Sequence, residues 1–225
     1  MTRLIRLLGI EVDTVSRRER LVSLVGGFVG VLALVAVSQG LLGLSAAQAL
    51  TGSMAASAVL IFCVPRSAFS QPWPVFGGHV CGAVIGVACV DLIGTKGVAG
   101  AIAVGLTIVA MYALRCIHPP GGATAFVAVI GGNAVTSLGY SFIWRPVIVD
   151  VVTLLAVGVL FNNLFPWRRY PAGIGAGRST LPTDPGSHER VLAALREMDS
   201  FVDVTEADLV RLAALLNRGP EGSSR

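Results

Sequence analysis

Long apolar runs, broken by short polar or proline-rich interruptions, dominate the chain. They cover residues 21–44, 45–64, 75–93, 97–114, 121–135 and 146–165. A hydrocarbon core about 30 Å thick takes roughly 20 helical residues at 1.5 Å each. All but one of the runs come close to that length, and each of these is expected to cross as a helix. Run 121–135 would measure only roughly 22 Å as a helix. It should cross obliquely, be completed by its neighbours, or turn back as a re-entrant segment. Run 45–64 carries Gln48, Thr51, Ser53 and Ser57, which suits a helix facing protein or a cavity. The expected fold class is all-α: a polytopic transmembrane helix bundle of about six segments, two with Pro/Gly-rich broken connections.

Beyond Phe165 the pattern changes. Pro171, Gly173, Gly175, Gly177, Pro182, Pro185 and Gly186 read as a flexible linker. Residues 188–201 then place Val191, Leu192, Leu195 and Met198 at helical spacing. Thr205 with Asp208 resembles a capping box opening a second helix, with Leu209, Leu212, Leu215 and Leu216 on one side. Such a short cytoplasmic helical pair cannot hold a core alone and must dock on something larger. The domain organisation is thus an N-terminal tail (1–20), a membrane domain (21–165), a linker (166–186) and a helical appendage (187–225).

Composition agrees with this reading. Hydrophobic residues make up 54% of the 225 and charged residues 13%, with a mean hydropathy of +0.75. Soluble domains carry about 25% charged residues, so an ordinary soluble enzyme is excluded, and so is a disordered chain. Between residues 21 and 165 the charged residues are Arg66, Asp91, Lys96, Arg115, Arg145 and Asp150. The other 24 of 30 lie towards the two ends. Arg3, Arg6, Arg17, Arg18 and Arg20 precede the first run, and Arg168 and Arg169 follow the last. Excess Lys and Arg marks the cytoplasmic side, so both ends are expected there, with an even number of crossings. Six crossings are favoured; four crossings with two re-entrant pieces also satisfy parity. The localisation expected is the plasma membrane.

The net charge of +4 flanks apolar spans, so it reads as a topology signal, and nucleic acid is not an expected partner. The first 20 residues lack an apolar stretch with a small-residue cleavage site, so no signal peptide is expected. Cys63, Cys81, Cys89 and Cys116 lie in or beside apolar runs and imply no disulfide framework. Cys116 and His118 are too few ligands for a metal site, and no metal or cofactor is expected. No Ser/His/Asp constellation points to an enzyme.

Two connections carry the candidate chemistry. One is Val64-Pro65-Arg66-Ser67-Ala68-Phe69-Ser70-Gln71-Pro72-Trp73-Pro74, leading into Gly77-Gly78-His79. The other is Leu114-Arg115-Cys116-Ile117-His118-Pro119-Pro120-Gly121-Gly122-Ala123-Thr124-Ala125. Each pairs an arginine with prolines, then Gly-Gly, then a fresh apolar helix. A helix start offers unpaired N–H groups and a partial positive charge, and glycine permits close approach. Broken helices converging inside a bundle are how secondary transporters build substrate sites.

The candidate substrate-binding residues are Arg66, Ser67, Gln71, His79, Arg115, His118, Gly121, Gly122, Thr124 and Asn162. Each also has a structural reading. The arginines fit as topology signals snorkelling to phosphates. His79 fits as a satisfied core histidine, and Asn162 with Asn163 as a helix-end cap. Gly78, Gly82 and Gly86 fit best as a packing face. Asp150 and Arg145 are close enough in sequence to pair near the outer interface.

At His118-Pro119-Pro120-Gly121-Gly122-Ala123-Thr124-Ala125 the chain resembles the HPP family of integral membrane proteins. The Pro65-Arg66-Ser67 to Gln71-Pro72 loop, Gly77-Gly78-His79 and Phe161-Asn162-Asn163-Leu164 are similar to the same family, in the same order, over roughly residues 20 to 170. The family often has Ala-Gly after His-Pro-Pro where this chain has Gly121-Gly122. Plant chloroplast and cyanobacterial members are associated with nitrite transport, so the resemblance implies a transporter or channel for a small monovalent anion. Some bacterial relatives carry C-terminal CBS domains, which are not expected here. The alternative is a membrane sensor or scaffold acting through its C-terminal helices. Expected partners are the lipid bilayer and a nitrite-like anion. Gly-rich helix faces or the C-terminal helices offer routes to a homo-oligomer.

Overall fold

The computed structural model describes residues 15–42 and 44–175. The C-terminal helices expected over 188–201 and after Thr205, most of the linker, and residues 1–14 lie outside the described residues, as do the side chains of Gln48 and Thr51. Seven α-helices form the described part: α1 (Arg17–Leu42), α2 (Leu44–Cys63), α3 (Pro72–Leu92), α4 (Lys96–Ala113), α5 (Pro119–Ile130), α6 (Asn133–Thr136) and α7 (Val149–Asn162). No strand occurs among the described residues. Arg17–Gly40, Pro72–Leu92, Lys96–Ala113 and Ile143–Asn162 are long and apolar enough to cross a bilayer. Leu21, Leu24, Phe28, Leu32, Val109 and Leu160 point outward from these helices, as lipid-facing residues should.

Proline sets most of the boundaries. Helix α2 ends before Pro65, and its last carbonyls are collected by Ser70 Oγ, which donates to Leu60 O (3.0 Å) and Val64 O (2.8 Å). Pro72 then starts α3, and Pro119 with Pro120 starts α5, positions where a missing N–H costs little. The last membrane helix is interrupted where Arg145 leaves helical geometry (φ −127°, ψ 104°) ahead of Pro146.

Helix α5 is the organising element. With 12 residues it is roughly 18 Å long and cannot cross alone. Its first turn lies beside Gly78 of α3, while Trp73 at the start of α3 donates to Leu114 O at the end of α4 (3.1 Å). Residues 114–118 therefore descend roughly 7 Å into the bundle before α5 begins. Non-helical backbone at such depth is tolerated because α3 and α4 enclose it. Residues 131–142, with α6, connect α5 to the last membrane helix.

Helices α3 and α5 run parallel with their backbones in contact. A Cβ on Gly82 would come within 2.1 Å of Gly121 O, and one on Gly86 within 2.6 Å of Ala125 O. A Cβ on Gly121 would come within 2.3 Å of Gly78 O. The glycine stripe of α3 is a packing face. Two cores flank this contact. One joins Leu34, Ile61, Phe62, Val75, Phe142 and Leu154 from α1, α2, α3 and the last membrane helix. The other joins Cys89, Ala99, Ala103, Ala125 and Val129 from α3, α4 and α5.

The four long apolar helices and the shorter apolar segments of α2 and α5 alternate in direction along the chain. Glu19 at the start of α1 reaches Trp167 and Arg168 beyond α7, so the two described ends share one face of the bundle. Gly82→Ala is expected to lower stability by about 1–3 kcal/mol, and Gly82→Leu by more, because backbone atoms would have to move. Gly105, which has open space where a Cβ would go, should accept Ala without loss. Melting curves of the detergent-solubilised variants check this; equal midpoints for Gly82→Ala and Gly105→Ala would contradict it.

Candidate functional site

The descent of residues 114–118 carries His118 to the bundle interior as the N-cap of α5. Helix α3 delivers His79 to the same depth, and the ring centroids lie 5.0 Å apart. Helix α2 supplies Ser57 between them: its Oγ is 2.7 Å from His79 Nε2 and 2.8 Å from His118 Nε2. Thr124 Oγ1, one turn into α5, is 2.7 Å from His79 Nδ1, and the Thr124 and Ser53 hydroxyls are 3.1 Å apart. His118 Nδ1 donates to Phe69 O (2.8 Å) on the connection before α3. His79, His118, Ser57 and Thr124 have no solvent exposure, and Ser53 almost none.

Such a network among apolar helices is costly unless every member is bonded. Here both nitrogens of both imidazoles have partners. No carboxylate, guanidinium or ammonium is among those partners. Among the described residues no group of three or more His, Cys, Asp or Glu side chains is placed to hold a metal.

Backbone donors, in contrast, are scarce at both helix starts. Pro119 and Pro120 have no N–H, Gly121 gives its own to His118 O (2.9 Å), and His118 gives its own to Met111 Sδ (3.4 Å). Pro72 and Pro74 similarly lack donors, and Val75 N–H goes to Gln71 O (3.0 Å). The prolines that start these helices remove the N–H groups that an anion cradle would use. Side chains would have to hold any ligand at this depth.

The structure thus brings together His79, His118 and Thr124 of the sequence candidates. Gly121 is taken up by the contact with Gly78. Gly122 is buried, and a Cβ there would meet Val104 Cγ1 first, at 3.8 Å. Ser67 caps a short 3-10 turn, Ala68–Ser70, by accepting from Phe69 N (3.1 Å). Gln71 ties that loop, donating to Pro65 O (3.1 Å) and Ser67 O (2.8 Å) and accepting from Ala172 N (2.9 Å). Arg66 is half-buried on the same loop. Arg115 is exposed at positive φ (54°), turning the chain out of α4. Neither arginine bonds an imidazole of the network.

Asn162 belongs to a second cluster. Its amide donates to Ile61 O (3.2 Å), and its Oδ1 accepts from Arg168 Nε (3.2 Å). The Arg168 side chain is 1% exposed; it also donates to Phe62 O and to Ser23 Oγ (3.1 Å), and it pairs with Glu19. Burial pulls this guanidinium below its usual pKa, and the adjacent Glu19 carboxylate opposes that shift. Arg18 lies over the Trp167 ring at 3.8 Å, and Trp167 Nε1 donates to Glu19 (2.8 Å). The cluster ties α1, α2 and α7 at one face. Away from that face, Asp150 is buried and accepts from Ser38 Oγ (2.5 Å), which replaces the Arg145 partner expected from sequence.

Sequence reasoning treats Arg168 as a topology signal and leaves Ser53 and Ser57 out of the site. The two serines, four residues apart on one helical face, are the available signal for the second. Arg168 has none, because its partner Glu19 lies 149 positions away.

Apolar helices wrapped around a sealed imidazole–hydroxyl network define a polytopic helical membrane protein. The family model for the HPP transmembrane region matches residues 12–171, and the chain belongs to the HPP family. Two Dictyostelium discoideum proteins, each described as a transmembrane protein, are similar to it. One is 41% identical over 126 residues, 54% of this chain and 40% of the relative. The other is 41% identical over 128 residues, 55% of this chain and 45% of the relative. The matched region thus spans less than half the length of either curated relative. No solved structure matches the chain.

Glu19→Gln and Arg168→Gln should each destabilise the protein. Their double-mutant cycle is expected to show coupling above about 1 kcal/mol, more than an exposed pair gives. Thermal unfolding in detergent checks this, and a coupling near zero would mark the pair as incidental.

Proposed function

We propose that this chain is a membrane transporter or channel for a small monovalent anion, with nitrite the leading substrate, acting in the plasma membrane with both ends cytoplasmic. The observation that carries the reading is the buried network of His79, Ser57, His118 and Thr124 at the start of α5. Polar side chains deep in a membrane bundle are expensive to keep and mark ion or substrate paths by default. Opened from their mutual bonds, these groups would donate hydrogen bonds to a small anion without an adjacent carboxylate to repel it. The positive end of the α5 dipole points into the same place. Arg66 and Arg115 border the connections leading to the network, where they would attract anions in a salt-dependent way. Ordinary rotation of α5 against α3 is disfavoured by their backbone contact, so the reading assigns opening to α2, which carries the serines.

The experiment is uptake of labelled nitrite, nitrate, formate and bicarbonate into liposomes holding the purified protein. Saturable uptake of at least one monovalent anion above protein-free vesicles is expected. Ser57→Ala and His118→Gln should each reduce it tenfold or more, corresponding to about 1.4 kcal/mol in the barrier, while remaining folded and inserted. No uptake of any of the four by folded wild-type protein would overturn the transport reading.

A further inference from the structure

We propose that the His79–Ser57–His118 chain is a one-proton carrier, and that the anion crosses together with that proton. The second half of this statement rests on the anion reading above; the first half does not.

Hydrogen-bond polarity can be worked out along the whole chain. Phe69 O can only accept, so His118 Nδ1, 2.8 Å away, carries a hydrogen. In a neutral ring His118 Nε2 then accepts, and Ser57 Oγ at 2.8 Å donates to it. Ser57 has one hydrogen, so its oxygen accepts from His79 Nε2 at 2.7 Å. That leaves His79 Nδ1 as an acceptor for the Thr124 hydroxyl at 2.7 Å. Each of these protons is used once, and both neutral rings are satisfied.

The structure also holds the partners needed for one more proton. With His79 protonated at Nδ1, Thr124 must stop donating to it, and its hydroxyl has Pro120 O at 3.4 Å and Ser53 Oγ at 3.1 Å within reach. With His118 protonated at Nε2, the Ser57 hydroxyl can turn to Ser53 O at 3.3 Å while its oxygen accepts from both rings. Either protonated form therefore needs one hydroxyl to rotate and no side chain to move. The proton passes between the rings through Ser57: protonated His79 gives its Nε2 hydrogen to Ser57 Oγ as Ser57 gives its own to His118 Nε2, which leaves His79 neutral with its hydrogen on Nδ1 towards Thr124 and Ser57 donating to its Nε2. A second proton would place two cations 5.0 Å apart without a carboxylate between them, so the capacity is one.

The surroundings then require a counterion. The groups facing the imidazoles are Ser53 and Ser57 from α2, Thr124 from α5, the Phe69 carbonyl, and Met111 Sδ from α4 next to the His118 backbone. The described carboxylates are engaged elsewhere or distant: Asp150 with Ser38, Glu19 with Arg168, and Asp91 exposed at the far end of α3. A cationic imidazole pair at a helix start, among apolar helices, is held best with an anion beside it. The reverse also holds, since the partners of the two imidazoles are hydroxyls and a carbonyl: the anion's positive partner is the proton. One proton and one anion enter, and one of each leaves, with no net charge moved.

The test uses the full chain in liposomes containing a pH-sensitive dye, with membrane voltage clamped by potassium and valinomycin, and subtracts protein-free vesicles. An inward nitrite gradient should acidify the interior by one proton per anion, at a rate independent of voltage. His79→Gln should abolish the protein-dependent acidification. Anion uptake that follows voltage without acidification would overturn the coupling while leaving the anion reading intact. If no anion moves, the anion reading fails, and a nitrogen-15 NMR titration of histidine-labelled protein in nanodiscs decides the proton site. One proton shared by the two rings, with the sharing lost in Ser57→Ala, supports it; two independent titrations, or none, overturn it.

Discussion

The backbone contact between α3 and α5 is the constraint on which the rest of the bundle depends. Gly78, Gly82 and Gly86 remove every side chain that would separate the two helices, and Gly121 and Ala125 do the same from the other side. Because the helices touch along their whole shared length, α5 cannot slide or start higher. Its N-cap, His118, is thereby held at the depth of His79, one position beyond Gly78. The pair of imidazoles is a consequence of packing before it is a matter of chemistry.

What packing places, hydrogen bonding must then satisfy. Five buried side chains from α2, α3 and α5, with one carbonyl from the connection before α3, close a network that leaves no imidazole nitrogen unpaired. Losing one member exposes its partners to the full cost of an unsatisfied buried group, about 1–3 kcal/mol. The same bonding gives the network its polarity: a carbonyl that can only accept sets the tautomer of the first ring, and with both rings neutral the protons of Ser57, His79 and Thr124 follow from it. The Arg168 cluster does comparable work at one face, where a buried guanidinium gathers the ends of α1, α2 and α7. Together these two polar centres hold helices whose outer surfaces are nearly all apolar.

Membership of the HPP family supplies the expectation of a membrane protein, and the family tripeptide acquires a physical meaning here. The histidine is the N-cap that enters the network, and the two prolines begin α5 without demanding donors that the buried segment could not supply. In exchange, the backbone loses the amide groups a phosphate-type cradle would need. Any ligand held at this depth would have to be met by imidazole and hydroxyl groups.

Much of this is legible in the amino-acid sequence by itself. The apolar helical segments, the shortness of the fifth, the helix starts at proline, and the packing role of the glycine stripe follow from hydrophobicity and backbone chemistry, which act over a few residues. His79, His118 and Thr124 are visible as polar residues in apolar surroundings. Only the tertiary structure decided that they meet through Ser57, that Gln71 and Asn162 tie loops and helix ends, that Asp150 bonds Ser38, and that Arg168 is buried against Glu19. Most of these pairings join residues from 22 to 149 positions apart, while Gln71 and Asn162 add short-range bonds to Pro65, Ser67 and Arg168. No local pattern encodes such meetings, because they are set by how deep each helix sits, and that depth is fixed by the close packing of its neighbours.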